Sequence, residues 1–166
     1  MIEQIQMATH YQVQCVGADG VEKWVAEFDN LVVDAGLNDV LDKYLKGSTY
    51  TAAFYVGLTA GSPTFAAADT MSSHSGWTES AAYSQATRPA LTLGTVATKS
   101  VDNSASKAQF SINGTATIGG AFVATNSTKS GSTGTLYGGG AFTEGNRSVV
   151  SGDTLNVTVT LTAAAS

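Results

Sequence analysis

Apolar and polar residues alternate in several stretches of this chain, and a period of two marks half-buried β-strands. In Asp153 to Leu161, Leu155, Val157, Val159 and Leu161 take one face while Thr154, Asn156, Thr158 and Thr160 take the other. Tyr11 to Gly17 and Val21 to Phe28 alternate in the same way around Ala18-Asp19-Gly20. An Asp-Gly turn between two such segments predicts a hairpin, because glycine takes positive φ without steric cost. Trp24 on its second strand is expected to anchor the core or an interface. Further strands are predicted at Ala53 to Thr59, Ala90 to Val96, Lys107 to Asn113, Thr115 to Thr125 and Thr135 to Gly138. Gly119-Gly120 within one of them suggests a bulge or a close backbone approach.

One stretch repeats at helical period. Leu37, Val40, Leu41, Tyr44 and Leu45 share a face of a helix predicted over about residues 31–46. Asp29 or Asn30 can cap its start, and Gly47 can end it in the left-handed conformation. Gly36 costs about 1 kcal/mol relative to alanine in a helix, and its presence fits close approach to a neighbouring strand. Asn38, Asp39, Asp42 and Lys43 form a solvated face. Roughly seven to nine short strands with one short helix predict a mainly β fold, an antiparallel β-sandwich or jelly-roll-like domain with long loops. No repeat of fixed period is present. The 166 residues read as a single β domain, 1–166, whose N-terminal hairpin (1–29) could serve as an arm.

The segment Leu58 to Pro89, most of it a long loop over 60–89, interrupts the strands and holds Met71, His74, Trp77, Tyr83, Arg88 and Pro89. A compact domain rarely keeps about thirty residues of loop unless that loop binds or covers something. Aromatic residues, Met and Arg suit protein contact, so Met71, His74, Trp77, Tyr83 and Arg88 are the predicted partner contacts. Each has an intramolecular alternative. Trp77 can close its own domain's core, and Arg88-Pro89 can simply start a strand after a Pro-fixed turn, its functional alternative being an intersubunit carboxylate pairing. His74 can be a loop residue bonded to the backbone or a switch titrating near neutral pH. Asn126 to Gly134 and Gly138-Gly139-Gly140 read as flexible.

Charged residues make up 13% of the chain, against about 25% in ordinary domains. The surface is therefore neutral and hydroxyl-rich, as in β proteins that live in assemblies. With 8 basic and 13 acidic residues, a net charge of −5 and no Lys/Arg cluster, neither nucleic acid nor an anionic membrane is an expected partner. Met1 to Gln14 lacks the pattern of a signal peptide, and no apolar run reaches the length of a bilayer span. Cys15, the one cysteine, shares a face with Tyr11 and Val13 and is expected to be a buried small hydrophobe.

A catalytic constellation is not legible. His10 and His74 are far apart in sequence, which leaves a four-ligand zinc site unsupported. Asp29, Asp34, Asp39 and Asp42 lack the loop spacing of a calcium site. Ser72, Ser73 and Ser75 flank His74 without a nucleophile-elbow motif. Glu79 and Glu144 are the only isolated carboxylates that glycoside hydrolysis could use. The expectation is a protein that is not an enzyme and takes no cofactor or metal.

The order of several short motifs adds to this picture. They are Asn30-Leu-Val-Val-Asp-Ala-Gly-Leu-Asn38 with Leu41-Asp42, Tyr55-Val-Gly-Leu-Thr59, Ala68-Asp-Thr-Met71 with His74, and Gly76-Trp77-Thr-Glu79. Tyr83, Arg88-Pro89, Phe110-Ser-Ile112, Ile118-Gly-Gly-Ala-Phe122 and Gly152-Asp-Thr-Leu155 follow. Over roughly residues 30 to 160 the chain resembles tailed-phage virion proteins described as structural or capsid cement (decoration) proteins. The resemblance implies a jelly-roll-like fold, attachment to the major capsid protein and self-association as a homodimer or homotrimer. It places the protein on the capsid exterior of a virion, after synthesis in the host cytoplasm. A tail- or fibre-associated host-binding module is the alternative, and a carbohydrate-binding β-sandwich with Trp24 or Trp77 as platform a third.

Overall fold

The computed structural model describes residues 5–50 and 53–165; Met1 to Gln4, part of the predicted hairpin, lie outside them. The chain runs through β1 (Ile5–Val16), β2 (Glu22–Asp29), β3 (Leu31–Val32), helix α1 (Asp34–Val40) and a π-helical turn (Leu41–Leu45). Next come β4 (Tyr55–Ala60), β5 (Thr78–Ser80), β6 (Ser100–Asp102), a 3-10 turn (Ser104–Ser106) and β7 (Ala108–Ser111). It ends with β8 (Ala116–Ala124), β9 (Leu136–Ala141), β10 (Arg147–Val149) and β11 (Thr154–Ala165). Two antiparallel sheets result, ordered β2-β1-β11-β6 with β7 also on β11, and β3-β9-β8-β4-β5 with β10 on β8. The fold is a mainly β antiparallel sandwich, as the alternation predicts.

The Asp-Gly hairpin forms as expected, with Gly20 at φ +79°. It is not an arm: β1 lies between β2 and β11, in register with β11 from Ile5↔Ala165 to Val16↔Thr154. The inward faces of β1, β2 and β11 bury Tyr11, Val13, Ala26, Phe28, Leu155, Val157 and Val159 against Val56, Leu58, Ile118, Ala121 and Val123 of the other sheet. Each large apolar side chain removed from water in this way stabilises the fold by about 1.5–3 kcal/mol.

The second sheet is buried on both faces, which explains the unbroken apolar run of β8. Ile118 and Ala121 both face the inner core although three positions separate them. A bulge makes this possible: Thr59 pairs with Gly120 and Ala60 with Ile118, leaving Gly119 as the extra residue. A Cβ on Gly119 would lie 1.5 Å from the Gly61 carbonyl oxygen, so no other residue fits. Beyond the bulge Phe122 and Ala124 point outward into a second core with Val33, Met71, Trp77 and Leu136.

Several expectations are corrected. The helix over 31–46 divides into β3, α1 and a π-turn in which Lys46 N–H bonds the Leu41 carbonyl at 3.0 Å. Its cap is Val33, with no side-chain bond, because Asp29 still belongs to β2. Gly47 does end it at φ +80°, and Gly36 does sit against a strand, at the Tyr137 backbone of β9. Ala90 to Val96 forms no strand, only an isolated bridge from Ala90 to Tyr55. Gly138-Gly139-Gly140 is not a flexible run but strand β9, where a Cβ on Gly139 would meet the Phe65 ring at 2.4 Å. Asn126 to Gly134 is bonded across the domain rather than free, as described below.

Cys15 is fully buried on β1, as expected. Burial, followed by the neighbouring Asp153 charge, pushes its thiol up to about 11. Thiolate is the reactive form, so folded protein at pH 8 is expected to resist iodoacetamide, with alkylation appearing only when denaturant exposes β1. Rapid labelling of the native chain, read by mass spectrometry, would contradict this burial.

Candidate functional site

The loop after β4 returns to pair through β5 with the strand it left, and so folds over the outer face of the second sheet. Trp77 sits at the centre of this layer, 4% exposed. Its Nε1–H donates to Asp69 Oδ2 at 3.0 Å, and the same oxygen accepts from Ala66 N–H at 3.0 Å. Phe65 stacks on the indole at 4.9 Å, His74 at 3.8 Å, and Phe122 lies tilted at 4.9 Å. His74 Nδ1 donates to the Trp77 carbonyl at 3.1 Å, which holds the imidazole flat over the ring it covers.

Arg88 makes a second centre. Its side chain is 0% exposed and its partner Glu79 6%. Nε and Nη2 donate to the two Glu79 oxygens at 3.0 and 2.6 Å, while Nη1 and Nη2 donate to the Asn126 and Gly131 carbonyls at 2.8 and 3.0 Å. The guanidinium lies 5.1 Å from the Phe122 ring centre, so Phe122 joins the two centres. Ser130 N–H donates to Glu79 Oε2 at 2.9 Å, and Lys129 Nζ sits 4.1 Å over the Tyr83 ring while donating to the Tyr83 carbonyl. Tyr83 is buried edge-on against Phe110. The small-residue tract Asn126 to Gly134 is thereby clamped over the ion pair.

The five predicted contact residues are thus brought together, but inward. Met71, Trp77, Tyr83 and Arg88 are buried within their own chain, and His74 alone is partly exposed. As anchors for a partner the four are corrected: the indole, thioether and phenol complete cores that the two sheets leave open, and the carboxylate Arg88 pairs with is intramolecular.

Catalytic chemistry finds no assembled groups here. His74 bonds the Trp77 backbone, and Ser72 Oγ lies 3.2 Å from Thr70 Oγ1, so no serine is paired with an imidazole in these bonds. Glu79 is held by Arg88, and Glu144 is ion-paired with Arg147. Among the described residues no group of three or more His, Cys, Asp or Glu side chains converges as a metal site, and no helix is long and apolar enough to cross a membrane.

The surface that does face outward lies elsewhere. Ile5 is 83% exposed, Tyr44 84%, Leu45 70% and Leu41 54%, with Leu37, Tyr50 and Leu93 also in solvent. Ile5 and Met7 of β1 face Leu37, Val40, Leu41, Tyr44 and Leu45 across an open groove. It continues past Val40 and Phe54 to Leu91, Leu93, Val101 and Leu161 at the mouth of the sandwich. The helical stripe was visible in the sequence, but not that among the described residues Val40 alone of it packs against the core while Leu37, Leu41, Tyr44 and Leu45 stay exposed. Exposed apolar residues gathered at one end of a domain mark an interaction surface. Comparison with protein-family models and with curated proteins gives no match for the chain.

Proposed function

We propose that this protein is a non-enzymatic structural component of a virion, a cement (decoration) protein that binds the major capsid protein and stabilises the head. The observation that carries the reading is the apolar end face, in which most exposed large hydrophobics of an otherwise neutral, hydroxyl-rich sandwich collect. Water penalises that exposure by about 25 cal/mol per Å² of apolar area, and burial against another protein recovers it. The resemblance of its motifs to those of phage virion proteins supplies the kind of assembly. A rigid β-sandwich suits the task, since it meets a shell with little conformational entropy left to lose. On a shell, many modest contacts act together through high effective concentration.

Co-sedimentation with purified shells that lack the protein tests the reading. Saturable binding in proportion to capsid subunits, with a higher melting temperature of the decorated shells, is the expected result. Labelling confined to tails would move the protein to the fibre. Absence from both structures, together with hits on a glycan array, would replace the reading altogether.

A further inference from the structure

We infer that the apolar end face is where two copies of this chain join, β1 lying antiparallel to β1 across a twofold axis. The inference rests on the reading of the chain as an assembly protein and names the surface through which it self-associates.

The open edge of β1 is the first observation. β11 pairs with β1 along its whole length, but β2 joins on the other side only from His10. From Ile5 to Ala8 that side carries no strand among the described residues. Backbone donors and acceptors on such an edge are a template for an added strand. A twofold axis sets a strand antiparallel to its own copy, so the chain itself provides the complement.

Area is the second. Ile5, Leu37, Leu41, Tyr44 and Leu45 line the groove beside this edge, all exposed. Together they present on the order of 600 Å², most of the roughly 800 Å² that each partner buries in a stable interface.

Charge is the third. The whole chain carries −5, which disfavours self-pairing in general. At this face Asp42 is paired with Lys43 at 3.3 Å and Lys46 at 3.4 Å, and the two lysines balance Asp42 and Asp39, leaving Asp34 at the start of α1 as the one excess charge of the helical segment. Two copies therefore meet here with little like-charge repulsion, and the face offers no charge pattern that would select a strongly charged partner.

Sedimentation velocity on the full chain across a concentration series tests this, with Leu41→Asp and Tyr44→Asp as variants. Both positions are solvent-exposed, and thermal melting by circular dichroism verifies that each variant folds; Tyr44→Asp reads the same face if Leu41→Asp disturbs the helix. Expected are a dimer for the parent chain and dimerisation weaker by roughly thirtyfold or more in each variant, the size of one interface hot spot. Hydrogen exchange is expected to show the Ile5 and Met7 amides, which alternate with those facing β11 and point to the open edge, protected in the dimer and exposed in the variants. A parent chain that is monomeric up to its solubility limit would overturn the inference, as would a dimer unaffected by both variants or one whose Ile5 and Met7 amides exchange freely. A monomer that binds shells through this face, losing them on Leu41→Asp, assigns the face to the capsid protein and also overturns it. Dimers of the expected kind that ignore shells leave the inference standing and remove the cement reading instead.

Discussion

Replacing Arg88 with alanine is expected to destabilise the folded chain by about 3–5 kcal/mol, the penalty for leaving a buried charge without its partner. The guanidinium and the Glu79 carboxylate are both shielded from water and share two parallel hydrogen bonds. Removing the arginine strands that carboxylate with the Ser130 amide and the distant Tyr83 hydroxyl as its remaining donors. It also frees the Asn126 and Gly131 carbonyls, so the loop over them loses its clamp. Urea unfolding followed by circular dichroism measures the loss directly. Replacing both partners together, Arg88→Met with Glu79→Leu, is expected to recover much of it, since an apolar pair of similar volume leaves no buried charge. Arg147→Ala provides the contrast: its partner Glu144 is 69% exposed, and loss of that ion pair is expected to cost no more than about 1 kcal/mol. Equal effects at the two arginines would contradict the burial described.

Trp77→Ala is expected to cost a similar amount, about 3–5 kcal/mol, for a different reason. The indole fills the space among Phe65, His74 and Phe122, and Gly139 is bare beneath Phe65, so the neighbours have little freedom to close a void. The Asp69 carboxylate also loses its indole donor. Trp77→Phe keeps the packing and loses the hydrogen bond, and should fall between the parent and Trp77→Ala. A thermal shift series ranks the three. Parent-like stability of Trp77→Ala would mean that the loop layer contributes nothing to the fold and that the indole serves some other purpose.

Both sites lie in the segment whose composition pointed to external contact, and the reason for the difference is physical. Residue type and loop length pointed to Trp77 and Arg88 as contact residues. They could not show which surface, because the second face of the β4-β8-β9 sheet becomes visible only once the strands are paired. The signs were present in Phe122 and in the glycines of β8 and β9. An apolar strand without alternation needs cover on both faces, and the loop is that cover. The hairpin, the alternation of β11, the Gly119 bulge and the burial of Cys15 were all legible, since each depends on neighbours in sequence. β6 and β10, three residues each, carry too few positions to show a period. The exposed helical stripe was legible as a stripe, and only the exposure of Leu37, Leu41, Tyr44 and Leu45 in the fold turned it into a candidate interface.

A reconstruction by electron cryomicroscopy of particles carrying this protein tests most directly whether it works by contact with other protein. The expected map shows the sandwich on the outside of the head, with the Leu37 to Leu45 face and the start of β1 covered by a neighbouring chain. A map in which that face stands free in solvent on every copy, or particles from which the protein is missing, would contradict it.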